Sequence, residues 1–176
     1  FTFTSLNKDE ALEFTIKGYP TSEYPDHGGM TEELHKIKPG EHILIGEPWG
    51  TIEYQGEGMF IAGGAGVTPF IAIFKDLKEK GKLAGNKLLF SNKKAKDVIL
   101  KKQFEAMFER QDLVLSLTRE EKPGYREGRI DEKLLKKEVK DFEQKFYVCG
   151  PPKMVKEIKE VLDSLGASME ELVFEE

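Results

Sequence analysis

The most informative segment of this sequence reads Met59-Phe60-Ile61-Ala62-Gly63-Gly64-Ala65-Gly66-Val67-Thr68-Pro69-Phe70-Ile71-Ala72-Ile73-Phe74. A short apolar run breaks into glycines, and apolar residues then resume at helical spacing, which predicts a buried strand, a tight turn and a helix. The glycines let the backbone approach a ligand closely, Thr68 is placed to cap the helix, and Pro69 fits its first turn. The free N–H groups at such a helix start favour an anion, for example a pyrophosphate.

Taken alone, this turn indicates a ligand site only weakly. It departs from the dinucleotide fingerprint G-x-G-x-x-G because Pro69 occupies the third glycine position, and it lacks the lysine of a phosphate-binding P-loop. A strand-to-helix turn with a purely structural role explains the same residues equally well.

The composition is that of an ordinary globular protein. The chain has 176 residues, of which 39% are hydrophobic, enough for one large domain or two small ones. It contains no apolar run of about 20 residues, no leader and no lipidation signal, so no membrane span is expected and a cytoplasmic location is favoured. The sequence begins at Phe1 without an initiator methionine, which suggests that further residues precede it.

Cysteine and histidine usage excludes several kinds of site. Cys149 is the single cysteine, so the chain cannot build an internal disulfide, a cysteine-rich zinc site or an iron–sulfur cluster. The histidines at 27, 35 and 42 show no ligand spacing, and no metal site is predicted.

The net charge of −5 is unevenly distributed. Residues 75–102 carry ten lysines against three acidic residues, whereas residues 1–57 carry four lysines against eleven acidic residues. The lysine-rich region either forms solvated helix faces or attracts an acidic partner or a phosphate. Nucleic-acid binding is not expected, because the chain as a whole is not basic and lacks an aromatic and basic motif.

Two parts of the chain show different secondary-structure patterns. Residues 1–55 are predicted to form antiparallel strands at 1–6, 11–17, 42–45 and 51–54, with one short helix that starts at Thr31. From residue 56, strands are predicted at 58–62, 86–91, 112–118, 145–149 and 171–175, and helices at 68–80, 100–110, 131–140 and 152–165. This alternation predicts a five-stranded, doubly wound parallel sheet that binds its ligand at the carboxyl ends of the strands. We therefore expect two domains, 1–55 and 56–176.

A second motif, Tyr147-Val148-Cys149-Gly150-Pro151-Pro152-Lys153-Met154, follows a later strand. Together with the Ala-Gly-Gly-x-Gly-x-Thr-Pro turn it resembles the ferredoxin–NADP reductase superfamily, in particular the bacterial flavodoxin/ferredoxin reductase-like branch. The similarity covers the whole chain, and Cys-Gly-Pro-Pro-x-Met is its most specific part. The resemblance implies that residues 1–55 are the C-terminal part of an antiparallel, flavin-binding β-barrel and that residues 56–176 bind NAD(P).

The resemblance also implies flavin-binding residues. Phe1 and Thr2 match the end of the family's Arg-x-(Tyr/Phe)-(Ser/Thr) signature, so Phe1 would lie along the flavin and Thr2 would act as a catalytic group near its N5 atom. Judged without the resemblance, both are ordinary sheet residues. Further flavin contacts are implied at Ile16 and Lys17, at the Gly28-Gly29-Met30-Thr31 phosphate motif, and at the C-terminal aromatic Phe174. The phosphate motif favours FAD, and FMN stays open.

A nicotinamide-dinucleotide site is implied in the second domain. Cys149 would touch the nicotinamide near the reacting carbon as the second catalytic residue, although a lone cysteine at a strand end is more often an inert core thiol. The other implied contacts are Gly64, Ala65, Gly66, Val67, Thr68, Ser91, Asn92, Thr118, Arg119, Gly150, Pro151 and Met154. The second strand is followed by no acidic residue, and Thr118-Arg119 is similar to the pair that binds the 2′-phosphate in family members using NADP. NADPH is therefore favoured over NADH, although the carboxylate of Glu120, beside Arg119, would repel a 2′-phosphate.

The function implied by the resemblance is that of an NAD(P)H-dependent flavoprotein reductase. A hydride would pass from NAD(P)H to FAD, and electrons would then pass singly to an acceptor protein such as ferredoxin or flavodoxin. Two alternatives stay open: a flavin reductase or oxidase with a small-molecule acceptor, and a nucleotide-binding or electron-transfer subunit of a larger complex. The sequence indicates no oligomeric state.

Overall fold

The computed structural model describes residues 1–48, 50, 52–168, 170 and 172–175. Six parallel strands form one sheet, with the spatial order β4-β3-β2-β1-β5-β6. The strands are β1 (Gly58–Gly63), β2 (Lys87–Asn92), β3 (Leu113–Leu117), β4 (Arg126–Glu127), β5 (Lys145–Cys149) and β6 (Leu172–Glu175). Because the chain crosses from one side of β1 to the other between β4 and β5, the strand order switches next to β1, where sheets of this type bind their ligands.

Helices cover both faces of this sheet. They are α2 (Thr68–Glu79), α3 (Lys101–Met107), α4 (Glu132–Glu138) and α5 (Pro152–Ser164), and a short helix, α1 (Met30–Leu34), precedes the sheet. Alternate side chains of β1 serve the two cores: Phe60 packs with Phe70 and Phe74 of α2, whereas Ile61 packs in the cluster that contains Ile158 of α5. The prediction of a parallel α/β domain is confirmed, since its strands and helices lie within a few residues of the predicted ranges.

The predicted number of five strands is wrong by one, because β4 was missed. This strand has two residues, Arg126 and Glu127, which pair with Ser116 and Leu117 of β3. Both are charged and exposed. Two polar residues carry no hydrophobic periodicity, so a strand this short leaves no signal in the sequence.

The antiparallel strands predicted before residue 56 are not formed by the described residues. The observed pairing there is one bridge between Phe3 and Phe14, with the Thr4 N–H donating to the Glu13 carbonyl at 2.7 Å. Residues 42–45 form no strand, and the side chain of Leu44 is fully exposed. Of the predicted strand 51–54, Thr51 lies outside the described residues and 52–54 are not in a strand. Apolar alternation predicts these strands, but a strand forms only where a partner strand satisfies its edge.

Tyr147, in the centre of β5, fixes the segment that leads into the sheet. Its ring is buried and stacks on Phe60 at a centroid distance of 4.2 Å. Its hydroxyl accepts from the Gln55 N–H and donates to the Gly56 carbonyl, both at 2.8 Å. One side chain therefore ties residues 55 and 56 to the sheet.

We expect the Tyr147→Phe variant to lose about 1–3 kcal/mol of unfolding free energy, because the backbone groups of residues 55 and 56 lose a partly buried partner while the ring stays in place. Urea denaturation followed by circular dichroism measures this difference. An unchanged midpoint would mean that water replaces the hydroxyl at no cost.

Candidate functional site

A cleft of about 800 Å³ opens at the carboxyl ends of β1, β2, β3 and β5. Its floor is made by the turn after β1, by the residues that follow β2 and β3, and by the start of α5, while residues from the first part of the chain form one wall. The predicted dinucleotide residues that line it are Gly64, Ala65, Gly66, Ser91, Asn92, Thr118, Arg119, Cys149, Gly150, Pro151 and Met154. The structure thus brings together residues that are far apart in the sequence.

The glycine turn packs directly on the Cys-Gly-Pro motif. Residues Gly64–Val67 form a 3-10 turn between β1 and α2. A Cβ atom added to Gly66 would lie 2.4 Å from the Cys149 carbonyl oxygen and 2.6 Å from the Cα atom of Gly150. No side chain fits there, because the obstructing atoms belong to backbone. The two sequence motifs are therefore in van der Waals contact at the switch point.

Two residues predicted to bind the dinucleotide, Val67 and Thr68, do not line the cleft. Val67 is fully buried in the core and precedes α2 as its capping position. Thr68 is the first helical residue, and its hydroxyl donates to the Ala65 carbonyl at 2.9 Å instead of accepting from a helix N–H. The prediction that Thr68 caps α2 is wrong. The chain enters this helix through a 3-10 turn, and the Thr68 hydroxyl donates to a carbonyl of that turn, so it accepts no helix N–H.

The ends of β2 and β3 form the second part of the floor. Thr118 donates from its N–H to the Asn92 carbonyl at 2.9 Å, and the Arg119 N–H donates to the Lys93 carbonyl at the same distance. These bonds hold the two strands together beyond the last residue of β3. The nearby Glu120 carboxylate accepts from the Ala95 N–H at 2.6 Å, which fixes it on the loop after β2.

Asn92 is a buried amide without a hydrogen-bond partner among the described residues. It is 4% exposed, lines the cleft, and has neither its Oδ1 nor its Nδ2 atom bonded. A buried polar group without a partner costs folding free energy, and native proteins retain few of them. This side chain is therefore an unsatisfied polar group buried beneath the floor of the cleft.

The wall opposite the sheet is aromatic and basic, and sequence reasoning found only Lys17 of it. The rings of Tyr19 and His27 stack at 4.3 Å with an interplanar angle of 10°. Lys17 Nζ lies 5.7 Å from the Tyr19 ring centre, and Lys93 Nζ lies 5.2 Å from that of Tyr24. Burial lowers the pKa of Lys17, an effect that Asp97 opposes from 4.0 Å. The aromatic residues within 19–27 were the feature of the sequence from which this wall could have been predicted.

Further cleft residues beyond this wall were not predicted from the sequence. Arg129 and Ile130 follow the short strand β4, and Pro152, Lys153, Glu157 and Ile158 belong to α5. Arg129 pairs with Glu157 at 3.6 Å across the two elements. The α5 residues follow the Cys-Gly-Pro motif at helical spacing, so the sequence pattern could have predicted them. Arg129 could not be predicted in this way, because it follows β4, which was itself not predicted.

Most of the residues implied to contact flavin lie outside this cleft. Phe1 is 69% exposed, and Ile16 lines a separate shallow pocket with Phe14, Thr15, Leu34 and His35. Thr31 uses its hydroxyl to accept from the Tyr19 N–H at 3.0 Å. Thr2, Gly28, Gly29 and Met30 are likewise not part of the cleft lining.

Phe174 is not brought to the cleft. It lies on β6 opposite Val148, and its ring packs on the α5 side of the sheet, where Lys159 Nζ is 3.4 Å from the ring centre. Residues alternate between the two faces of a strand, so this position points away from the cluster that contains Phe60.

No helix among the described residues has the length and apolar character needed to cross a bilayer.

Comparison with known proteins gives the family. A family model described as an oxidoreductase NAD-binding domain matches residues 60–160. The chain is 32% identical over 165 residues to NADH-cytochrome b5 reductase 2 of Mycosarcoma maydis, covering 84% of this chain and 44% of that protein. It is 33% identical over 185 residues to cytochrome b5 reductase 4 of Xenopus tropicalis, covering 96% of this chain and 34% of that protein. The chain thus spans about half, or less, of these relatives.

Solved structures share the fold. The CS-b5R domains of human Ncb5or, in the NAD⁺ form, superpose with a TM-score of 0.77 at 23% identity, covering 97% of this chain and 50% of that chain. A ferredoxin NADP⁺ reductase from Neisseria gonorrhoeae with bound FAD and NADP gives a TM-score of 0.57 at 21% identity, covering 66% and 54%. The chain belongs to the oxidoreductase NAD-binding domain family, and its resemblance to the ferredoxin–NADP reductase superfamily is confirmed.

Proposed function

We propose that this chain forms the NAD(P)H-binding domain, at 56–176, and part of the flavin-binding domain, at 1–55, of a FAD-dependent reductase. The observation that carries the proposal is the packing of the glycine turn on Cys149 and Gly150 at the switch point. This contact makes one cleft out of two motifs that the family uses for a dinucleotide. The unpaired amide of Asn92 in the same cleft supports a polar ligand there.

The lining residues divide into three regions for a dinucleotide. Gly64, Ala65 and Gly66 line the cleft, and an added Cβ at Gly64 would meet no atom within 4 Å, so this turn suits the pyrophosphate. Asn92, Thr118 and Arg119 would bind the adenosine half. Cys149, Gly150 and Pro151 would hold the nicotinamide ring, so that its reacting carbon faces the wall formed by Lys17 and Tyr19.

The first part of the chain has features that fit a flavin nucleotide. Gly28 and Gly29 both have positive φ angles, 61° and 75°, and an added Cβ at Gly28 would meet no atom within 4 Å, so its backbone is open to a phosphate. The stacked Tyr19 and His27 rings offer an aromatic surface at the cleft. When bound, FAD would accept a hydride and release electrons one at a time. The protein's own contribution is to orient the rings and exclude water.

We propose a cytochrome b5-type haem protein as the electron acceptor. Relatives that share about a third of their residues with this chain carry the name cytochrome b5 reductase. This replaces ferredoxin or flavodoxin, which the sequence resemblance alone had suggested. The same names specify NADH in several relatives, whereas the cleft of this chain presents Thr118 and Arg119 and no acidic residue directly after β2. We keep NADPH as the preferred donor on the basis of these residues.

The acceptor assignment is tested with the intact protein loaded with FAD. Dinucleotide-driven reduction is measured against cytochrome b5, ferredoxin, flavodoxin, free flavin and oxygen under identical conditions. We expect bound flavin absorbance and fastest turnover with cytochrome b5. A colourless protein that cannot be reconstituted with flavin would refute the enzyme proposal, and faster turnover with free flavin or oxygen would favour a reductase or oxidase with a small acceptor.

We expect Cys149→Ala to slow flavin reduction about tenfold, equivalent to ~1.4 kcal/mol in barrier, with little change in stability. The reason is that Cys149 is only half-buried and lies at the cleft edge of β5, at the margin of the core cluster that contains Phe60. Stopped-flow absorbance measures the rate, and thermal unfolding gives the stability. A rate within about twofold of wild type, ~0.4 kcal/mol, would return this residue to the role of an inert thiol.

A further inference from the structure

Helix α2 contacts both the glycine turn, Gly64–Val67, which is called the dinucleotide turn below, and the first residues of the chain. Its amino end continues directly from the turn Gly64–Val67. Two turns later, Lys75 reaches the hairpin-like segment 3–14, which is held together by the Phe3–Phe14 bridge and ring contact at 4.8 Å. One rigid element therefore touches the two parts of the chain that the proposed function assigns to different cofactors.

The contact at Lys75 is a closed hydrogen-bond network. Lys75 Nζ donates to the Thr4 carbonyl at 2.7 Å and to Glu13 Oε1 at 2.6 Å. The Thr4 hydroxyl donates to the same Glu13 oxygen at 2.8 Å. Thr4 is completely buried, so its groups depend on these partners. The hydrogen bonds from Lys75 and Thr4 lower the pKa of Glu13, because they favour its carboxylate form.

A second ion pair joins the same two elements. Lys8, in the turn of the segment, pairs with Glu79 at the end of α2. Both side chains are largely exposed, so this pair alone adds little stability. It differs in this respect from Lys75, whose side chain is 20% exposed and whose partners include backbone. The orientation of the segment is therefore set mainly at Lys75.

We propose that Lys75 is a positioning residue for the flavin-facing end of the chain, fixing residues 1–4 relative to the dinucleotide turn. The Thr4 carbonyl that accepts from Lys75 is two residues from Thr2, so the network limits how far Thr2 moves relative to helix α2. The inference rests on the proposed function and on the family resemblance, which implies that Phe1 and Thr2 contact the flavin. It also gives a role to one lysine of the basic region 75–102 other than solvation or partner attraction.

The test uses the intact, FAD-loaded protein with five variants. Lys75→Met and Glu13→Gln each remove the ion pair, their double variant tests coupling, and Lys75→Arg restores the charge. Lys80→Met is the matched control, because Lys80 forms an ion pair of 2.7 Å with Asp76 on the same helix and, among the described residues, no bond to the segment 3–14. Stopped-flow titration gives the rate of flavin reduction and the Kd of the dinucleotide, and hydrogen exchange reports on residues 1–17.

We expect Lys75→Met and Glu13→Gln to slow flavin reduction about tenfold, since misplacement by ~1 Å costs up to about a hundredfold, while the Kd stays within about twofold. The double variant should be no slower than the slower single variant, because both changes break one network. Lys75→Arg should recover most of the rate, and Lys80→Met should match wild type. Faster exchange in residues 1–17 should accompany the slow variants.

Several outcomes would overturn the inference. A rate that stays at the wild-type value while exchange in residues 1–17 rises would make the network structural only. Parallel losses in rate and in dinucleotide affinity would mean that α2 itself is disturbed. If Lys75→Met does not accumulate in folded form, Glu13→Gln decides by the same criteria. A wild-type protein whose flavin is not reduced refutes the proposed function and this inference with it.

Discussion

The Gly66→Ala variant is expected to lose about 3 kcal/mol of unfolding free energy and most of its affinity for the dinucleotide, because the new methyl group has no space. Its Cβ would lie 2.4 Å from the Cys149 carbonyl oxygen and 2.5 Å from the Cys149 carbonyl carbon. Backbone atoms of a central strand cannot rotate away as a side chain does. Either the turn or the end of β5 has to move, and both contribute to the cleft.

Gly64→Ala is the matched control for this prediction. Gly64 lies in the same turn, has a φ of +56°, and an added Cβ would meet no atom within 4 Å. The expected cost is the strain of a left-handed alanine, about 1–2 kcal/mol, without displacement of Cys149. Urea denaturation gives the stabilities, and fluorescence titration with reduced dinucleotide gives the affinities. Equal losses in the two variants would show that conformation, rather than the contact with β5, makes Gly66 necessary.

Arg119→Ala is expected to raise the KM for NADPH by about 10- to 150-fold and to leave that for NADH within about threefold. Loss of one charge-assisted contact to a 2′-phosphate removes ~1.5–3 kcal/mol, and NADH has no such group. Arg119 is exposed at the cleft and its N–H is anchored to the Lys93 carbonyl, so its guanidinium can reach a ligand without rearrangement of the backbone. Steady-state kinetics with both dinucleotides measures the effect.

Arg110→Ala serves as the control for Arg119, because Arg110 is also exposed but precedes β3, at the end of the sheet away from the cleft. It should change neither KM. Equal effects of Arg119→Ala on both dinucleotides would remove the 2′-phosphate assignment. A wild-type protein that prefers NADH outright would do the same, and would agree with the names of the relatives.

The α/β part of the fold was predictable because its strands are buried and its helices are amphipathic. Residues 59–62 and 88–90 are almost wholly inaccessible, so their apolar runs are long enough to stand out. That the glycine turn and the Cys-Gly-Pro motif lie together was predictable for a different reason. In a parallel sheet, the residues after each strand meet at one edge, whatever their distance in sequence.

The remaining features depend on contacts that sequence periodicity does not encode. β4 is two charged residues long, and its existence depends on an open edge of β3. The stack of Tyr19 on His27 lies outside the sheet and its helices, where residue spacing does not predict the direction in which a side chain points. The unpaired amide of Asn92 can be identified only in the structure, which shows that it is buried and has no hydrogen-bond partner among the described residues.

The central claim, that the cleft delivers a hydride from a dinucleotide to a flavin, is tested most directly by anaerobic mixing of the FAD-loaded protein with NADPH and NADH. The reduced dinucleotides are used with hydrogen and with deuterium at the transferred position of the nicotinamide. We expect the flavin absorbance to bleach at a rate that saturates with dinucleotide concentration and that is slower with deuterium. A flavin that binds but is not bleached by either dinucleotide would contradict it.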